Sequence, residues 1–162
     1  MGAGLTEYRP LKVRAETAED MTVMAAYLQD AVVPVEDMAF KPGAEAVPGE
    51  FVLVAHRFRW EMLGAQEKPV AGDRYERVLC GITVQGVFRA RLSGIDRQRD
   101  RDDFLNLLTV QAAERDGAAH VDLIFAGDKA IRLEVARTDI VVEDFGEPWP
   151  TIFRPHHPVE AR

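Results

Sequence analysis

The sequence predicts an α+β fold: a curved, mainly antiparallel sheet, roll-like or barrel-like, of about seven strands, with one amphipathic helix near the N-terminus. Three observations predict it. Apolar and polar residues alternate through most of the chain, as strands with one buried face require. Helical spacing of apolar residues is read over one stretch, between Thr17 and Pro34. Gly86 lies inside a long alternating run, where a glycine marks a bend or a barrel corner.

The most ordered stretch runs from Ala119 to Phe145. Val121, Leu123 and Phe125 alternate with Asp122 and Ile124; Ile131, Leu133 and Val135 alternate with Arg132 and Glu134. Gly127-Asp128-Lys129 between them reads as a tight turn. If Ala126 pairs with Ala130, then Phe125 faces Ile131, Leu123 faces Leu133 and Val121 faces Val135. All six apolar side chains then share one face, and a slip of one residue would expose half of them. Each is worth roughly 1.5–3 kcal/mol on burial before entropy is charged. This face should therefore lie mid-core, under the early helix. Ile140 to Phe145 reads as a further strand.

In chain order, residues 1–10 form a loose lead-in, and Leu11, Val13 and Ala15 a short strand. Thr17 caps a helix by accepting from the Asp20 N–H. Met21, Met24, Ala25, Leu28 and Val32 form its buried stripe, and Pro34 ends it. Met38 and Phe40 alternate before a polar loop over 42–50. Phe51 to Trp60 is a long strand, apolar on both faces in its first half. Residues 64–73 form a second loop. In Arg77 to Leu92, Val78, Cys80, Ile82, Val84, Phe88, Ala90 and Leu92 all share even parity. Either one strand bends at Gly86 or Gln85-Gly86 makes a hairpin; the unbroken parity favours the bent strand. The mixed charges of Asp96–Asp103 read as a solvated face. Phe104–Ala112 is again strand, followed by a turn at Glu114–Gly117. Residues 146–162, with Pro148, Pro150, Pro155 and Pro158, are an extended tail that cannot be helix or inner strand and that Trp149 or Phe153 anchors.

Composition bounds function. The 162 residues, 47% apolar and 29% charged, suit one soluble domain over 1–162. The net charge of −7 disfavours a general nucleic-acid binder. No apolar run reaches the roughly 20 residues of a membrane span, and the N-terminus carries no secretory apolar region. Cys80 is the single cysteine, which excludes an intrachain disulfide and a multi-thiolate zinc site and favours the cytoplasm.

No phosphate loop, dinucleotide fingerprint, nucleophile elbow or paired-histidine zinc helix is present. Ser93 is the only serine, and nothing in its spacing supports a triad. His156 and His157 are adjacent and point opposite ways on an extended chain, so no metal or cofactor site is expected. The candidate ligand or partner patch is His56, Arg57, Arg59 and Trp60, with Arg154 and His156. Arg57 and Arg59 would project from one strand face and hold a carboxylate or phosphate. Arg89 and Arg91 form a similar pair if their strand lies alongside. Pairing of these arginines with nearby acids is the plainer alternative.

Leu28–Val32, Arg57–Glu61, Ser93–Asp96, Leu105–Leu108, Phe125–Gly127 with Ile131–Val135, and Trp149–Thr151 with Arg154–His156 together resemble a bacterial family catalogued as domain of unknown function 2948. The resemblance runs from about Leu11 to His156 and brings no catalytic residues. Asp128 stands where a glycine is expected in such a turn. The reading that results is a small cytoplasmic, non-enzymatic binding or adaptor module for a protein or a small anionic ligand. Two others stand beside it: an enzyme whose site gathers His156, Arg154 and Glu61, and a structural homo-oligomer using an open sheet edge.

Overall fold

The computed structural model describes residues 8–62 and 75–151. Among them, nine strands form one antiparallel sheet and a single α-helix packs on it. The elements are β1 (Lys12–Ala15), α1 (Ala18–Leu28), β2 (Ala31–Pro34), β3 (Met38–Lys41), β4 (Gly49–Phe58), β5 (Tyr75–Ser93), β6 (Phe104–Arg115), β7 (Ala118–Phe125), β8 (Lys129–Val135) and β9 (Ile140–Thr151). The order across the sheet is β1-β9-β5-β8-β7-β6-β2-β4-β3. β4 also pairs with β5, so β5, β8, β7, β6, β2 and β4 close into a ring. The predicted fold class holds; Ala31–Pro34 adds a strand to those expected, and the proline-rich segment lengthens β9.

The β7–β8 hairpin forms, with all six apolar side chains at most 4% exposed. Its register differs from the expected one by two residues. Phe125 pairs with Lys129, Leu123 with Ile131 and Val121 with Leu133. Gly127 (φ 82°) and Asp128 (φ 58°) take the left-handed turn positions, so the departure from glycine at 128 is accommodated by an aspartate there. A two-residue shift leaves every side chain on its own face, so the alternation could not reveal it. The helix above this core lies chiefly against β6, β1 and β4 rather than over the hairpin itself.

Thr17 caps α1 as expected. Its hydroxyl accepts from the Asp20 N–H (3.1 Å), and Asp20 accepts in return from the Thr17 N–H (3.3 Å). The helix stops at Leu28, short of the predicted Val32. Asp30 turns the chain at φ 62°, its N–H donates to the Leu107 carbonyl, and Ala31–Pro34 pairs with β6. Val32 fits helical spacing, but its β-branch suits the strand equally. The described part of the expected extended tail is edge strand: pairing to β5 continues through Trp149, Pro150 and Thr151. β1 pairs β9 only over Ile140–Glu143, so the prolines occupy an otherwise unpaired edge, where a missing N–H costs nothing.

β5 is the bent single strand, 19 residues long, with Gly86 at φ 69°. Its parity conceals two irregularities that cancel. The buried residues run Val78, Cys80, Ile82, Val84, then Val87, with Ala90 next against the core. The first extra step falls at Gly86. The second is a bulge against β8, where Val87 pairs with Val135, Arg89 pairs with Glu134 and Phe88 has no partner. Phe88 therefore faces out, 57% exposed, instead of inward as predicted. A Cβ at Gly86 has room, with Ala136 at 3.6 Å, so only backbone conformation opposes it. Gly86→Ala should cost about 1–2 kcal/mol in urea denaturation without loss of the folded state.

Candidate functional site

The expected patch is built at the end of β4. Arg57 sits on the inner face, in line with Phe51, Leu53 and Ala55, and is 0% exposed. It does not project to solvent as predicted. All five of its N–H donors are used inside the protein. Nε and Nη2 donate to the two carboxylate oxygens of Asp144 on β9, both at 2.8 Å. Nη1 and Nη2 donate to Glu61 at 2.9 and 2.7 Å, and Nη1 also reaches the Phe58 carbonyl at 3.3 Å. Asp144 accepts further bonds from the Tyr8 hydroxyl (2.7 Å) and the Leu11 N–H (2.8 Å). The cluster thus ties the start of the described chain, β4, the turn at Trp60–Met62 and β9 together.

Electrostatics follow from this geometry. Burial pushes the Asp144 and Glu61 carboxyls up, but hydrogen bonds and charge from Arg57 outweigh it and hold both below the usual range. Burial lowers Arg57, and its bonds to the two acids raise it further than burial lowers it. Cys80, paired with Asp144 across the sheet, is pushed up to about 12 by burial and is an inert core thiol.

Arg59 pairs with Glu76 and lies 4.8 Å from the centre of the Tyr8 ring. His56 and Trp60 each make a different aromatic contact. His56 meets Trp149 edge-on at 5.6 Å, which anchors the segment expected as tail. The Trp60 indole donates to the Gln29 carbonyl at 2.9 Å and packs against Phe58 at 4.6 Å. Burial lowers the His56 pKa, with the Arg77 charge adding to it. Arg154, His156, His157 and Phe153 lie outside the described residues, so the structure places four members of the patch, with different partners, and leaves two unplaced. Glu61, named with His156 and Arg154 in the enzyme reading, is chelated by Arg57.

Arg89 and Arg91 are not beside Arg57, which pairs with Val78. They lie at the other end of β5, opposite Glu134 and Arg132 of β8. There the outer face of β5, β8 and β7 forms an open hollow of about 750 Å³. Small residues, Gly117, Ala118, Ala119 and Ala136, line it together with Phe88, Arg91, His120, Arg132 and Glu134. A second hollow of about 410 Å³ shares these small residues and is lined further by Glu114, Arg115, Asp116 and Arg137. Sequence reading missed this trough because Phe88 was placed indoors. The available signals were the spacing Val84, Val87, Ala90 and the small run Gly117–Ala119. Among the described residues no three His, Cys, Asp or Glu side chains gather to hold a metal ion.

The chain belongs to the family described as a protein of unknown function, DUF2948, whose model matches residues 11–157. No curated protein and no solved structure matches it.

Asp144→Asn should lower stability by about 3–5 kcal/mol, because it breaks a buried ion pair and leaves Arg57 undercompensated. The wild-type carboxyls titrate below their unfolded values. Their contribution is therefore full above about pH 4 and is lost as pH falls through the folded values. Urea midpoints between pH 7 and pH 3 should fall steeply for the wild type and less steeply for Asp144→Asn.

Proposed function

We propose that the chain is a non-enzymatic, cytoplasmic binding module that holds a segment of a partner protein along the trough on β5, β8 and β7. The observation that carries this reading is Phe88, set 57% exposed by a bulge and lining the trough together with small residues. Bulges serve to re-aim a side chain, and this one turns an aromatic ring toward water. Aromatic and arginine side chains together are what the centres of protein interfaces favour. The trough is open and shares lining residues with the second hollow, which suits an extended segment better than an enclosed small molecule.

Arg57 of the expected patch and Glu61 of the enzyme reading bind each other, and Arg57 binds Asp144 as well. Edge pairing between copies is a weaker reading. The sheet ends in β1 and β3, each four residues long and carrying Lys12 or Lys41, which makes a poor template for further strands. A cytoplasmic setting agrees with one inert thiol and with the lack, among the described residues, of a helix long and apolar enough to cross a membrane.

A photo-crosslinking phenylalanine analogue placed at position 88 in the producing cell should yield one discrete protein adduct. The same analogue at Val23, equally exposed on α1, should yield none. Equal labelling from both positions, or none from 88, would remove the trough as a docking surface.

A further inference from the structure

We infer that Arg91 and Arg132 form a carboxylate-binding subsite within the trough, taking an aspartate or glutamate side chain of the bound segment. The inference rests on the binding-module reading and adds the chemistry of the occupant. Arg91 and Arg132 are directly opposed across antiparallel β5 and β8. Two like charges placed so repel, and a pair of this kind weakens the sheet it sits on. Each is held by one acid. Arg132 Nε and Nη2 donate to the two oxygens of Asp122, both at 2.8 Å, and Arg91 Nε lies 3.1 Å from Glu134 Oε2. His120 Nε2 stands 3.7 Å from the same Asp122.

These acids orient the guanidinium groups without exhausting them. Arg132 Nη1 and all three guanidinium nitrogens of Arg91 make no hydrogen bond to the protein among the described residues, Glu134 Oε2 being an ion-pair neighbour of Arg91 only. Both side chains are more than half exposed, at 55% and 60%. Arg89, next along β5 and exposed, has no ion-pair partner among the described residues. Three arginines therefore face two carboxylates, Asp122 and Glu134. The excess of one positive charge matches a monovalent carboxylate better than a phosphate group of nearly two negative charges. Phe88 and the alanines that line the trough with the pair offer a dry seat to an apolar neighbour of that carboxylate. The occupant is then a segment with an acidic residue next to an apolar one. The chain as a whole carries −7, so this local reversal of sign also steers such a segment to this face.

The test is an NMR titration of the arginine Nε–H signals with N-acetyl-glutamate N-methylamide at low ionic strength. Saturable shifts are expected at Arg91 and Arg132, and none at Arg99, which is held by Asp100 in the loop after β5. The glutamine analogue should bind about tenfold more weakly. Arg91→Gln should abolish the shift at Arg132 while the melting temperature stays level or rises, since a repulsion is relieved. A purely structural arginine would instead lower it. Equal shifts with the glutamine analogue, equal shifts at Arg99, or tighter binding of inorganic phosphate would each overturn the assignment. A crosslinked partner at position 88 without carboxylate preference would leave the docking surface in place and remove only this chemistry.

Discussion

The buried arginine at position 57 is the constraint around which this end of the molecule is arranged. A guanidinium removed from water loses several kcal/mol of solvation, and only tight, complete pairing offsets that. Here the pairing is complete: two bidentate carboxylates and one carbonyl receive every donor. Asp144 in turn is satisfied by Tyr8 and the Leu11 N–H. The requirement that each partner be present fixes three separated pieces of chain against one another. It also requires β9 to lie alongside β5 at Asp144, since Asp144 reaches Arg57 only across that pairing.

Much of the fold was legible because alternation reports burial directly. The hairpin face, the helix cap and the single bent strand all follow from local pattern. What pattern cannot report is anything that shifts by two. The β7–β8 register slid by two residues with no side chain changing face. In β5, two one-residue irregularities restored the original parity, so Phe88 looked like a core residue. The overrun of α1 has a different origin. Val32 satisfied the helical spacing, and pairing to β6 decided for strand. The prolines after Gly146 were read as barring an inner strand, which is correct. An edge asks less, because the outer N–H groups of an edge strand pair with nothing.

The candidate site was less legible than the fold, and the two arginine pairs show why. Arg57 with Arg59, and Arg89 with Arg91, are the same pattern, two arginines one residue apart on a strand. One pair is drawn into the core and its rim; the other stands in solvent. Sequence spacing contains one clue, Glu61 four residues after Arg57, and that acid does bind it. The deciding partner, Asp144, lies 87 residues away and is brought near only by the closed sheet.

That contrast carries the functional reading further than either pair alone. A cation at the centre of a fold must find its counter-charges within the chain, because no solvent is there to replace them. Arg57 does so and has nothing left to offer a ligand. A cation on an open face is under no such demand, and surface pairs contribute little to stability. The opposition of Arg91 and Arg132 therefore has no stabilising account within the monomer; it works slightly against the sheet that carries it. Local arrangements that disfavour the free fold are found where a bound group later relieves them. Beside these arginines the strand bulges, an aromatic ring faces water and alanine and glycine line the trough. Each departs from what sheet stability alone would select, and all of them meet on one face.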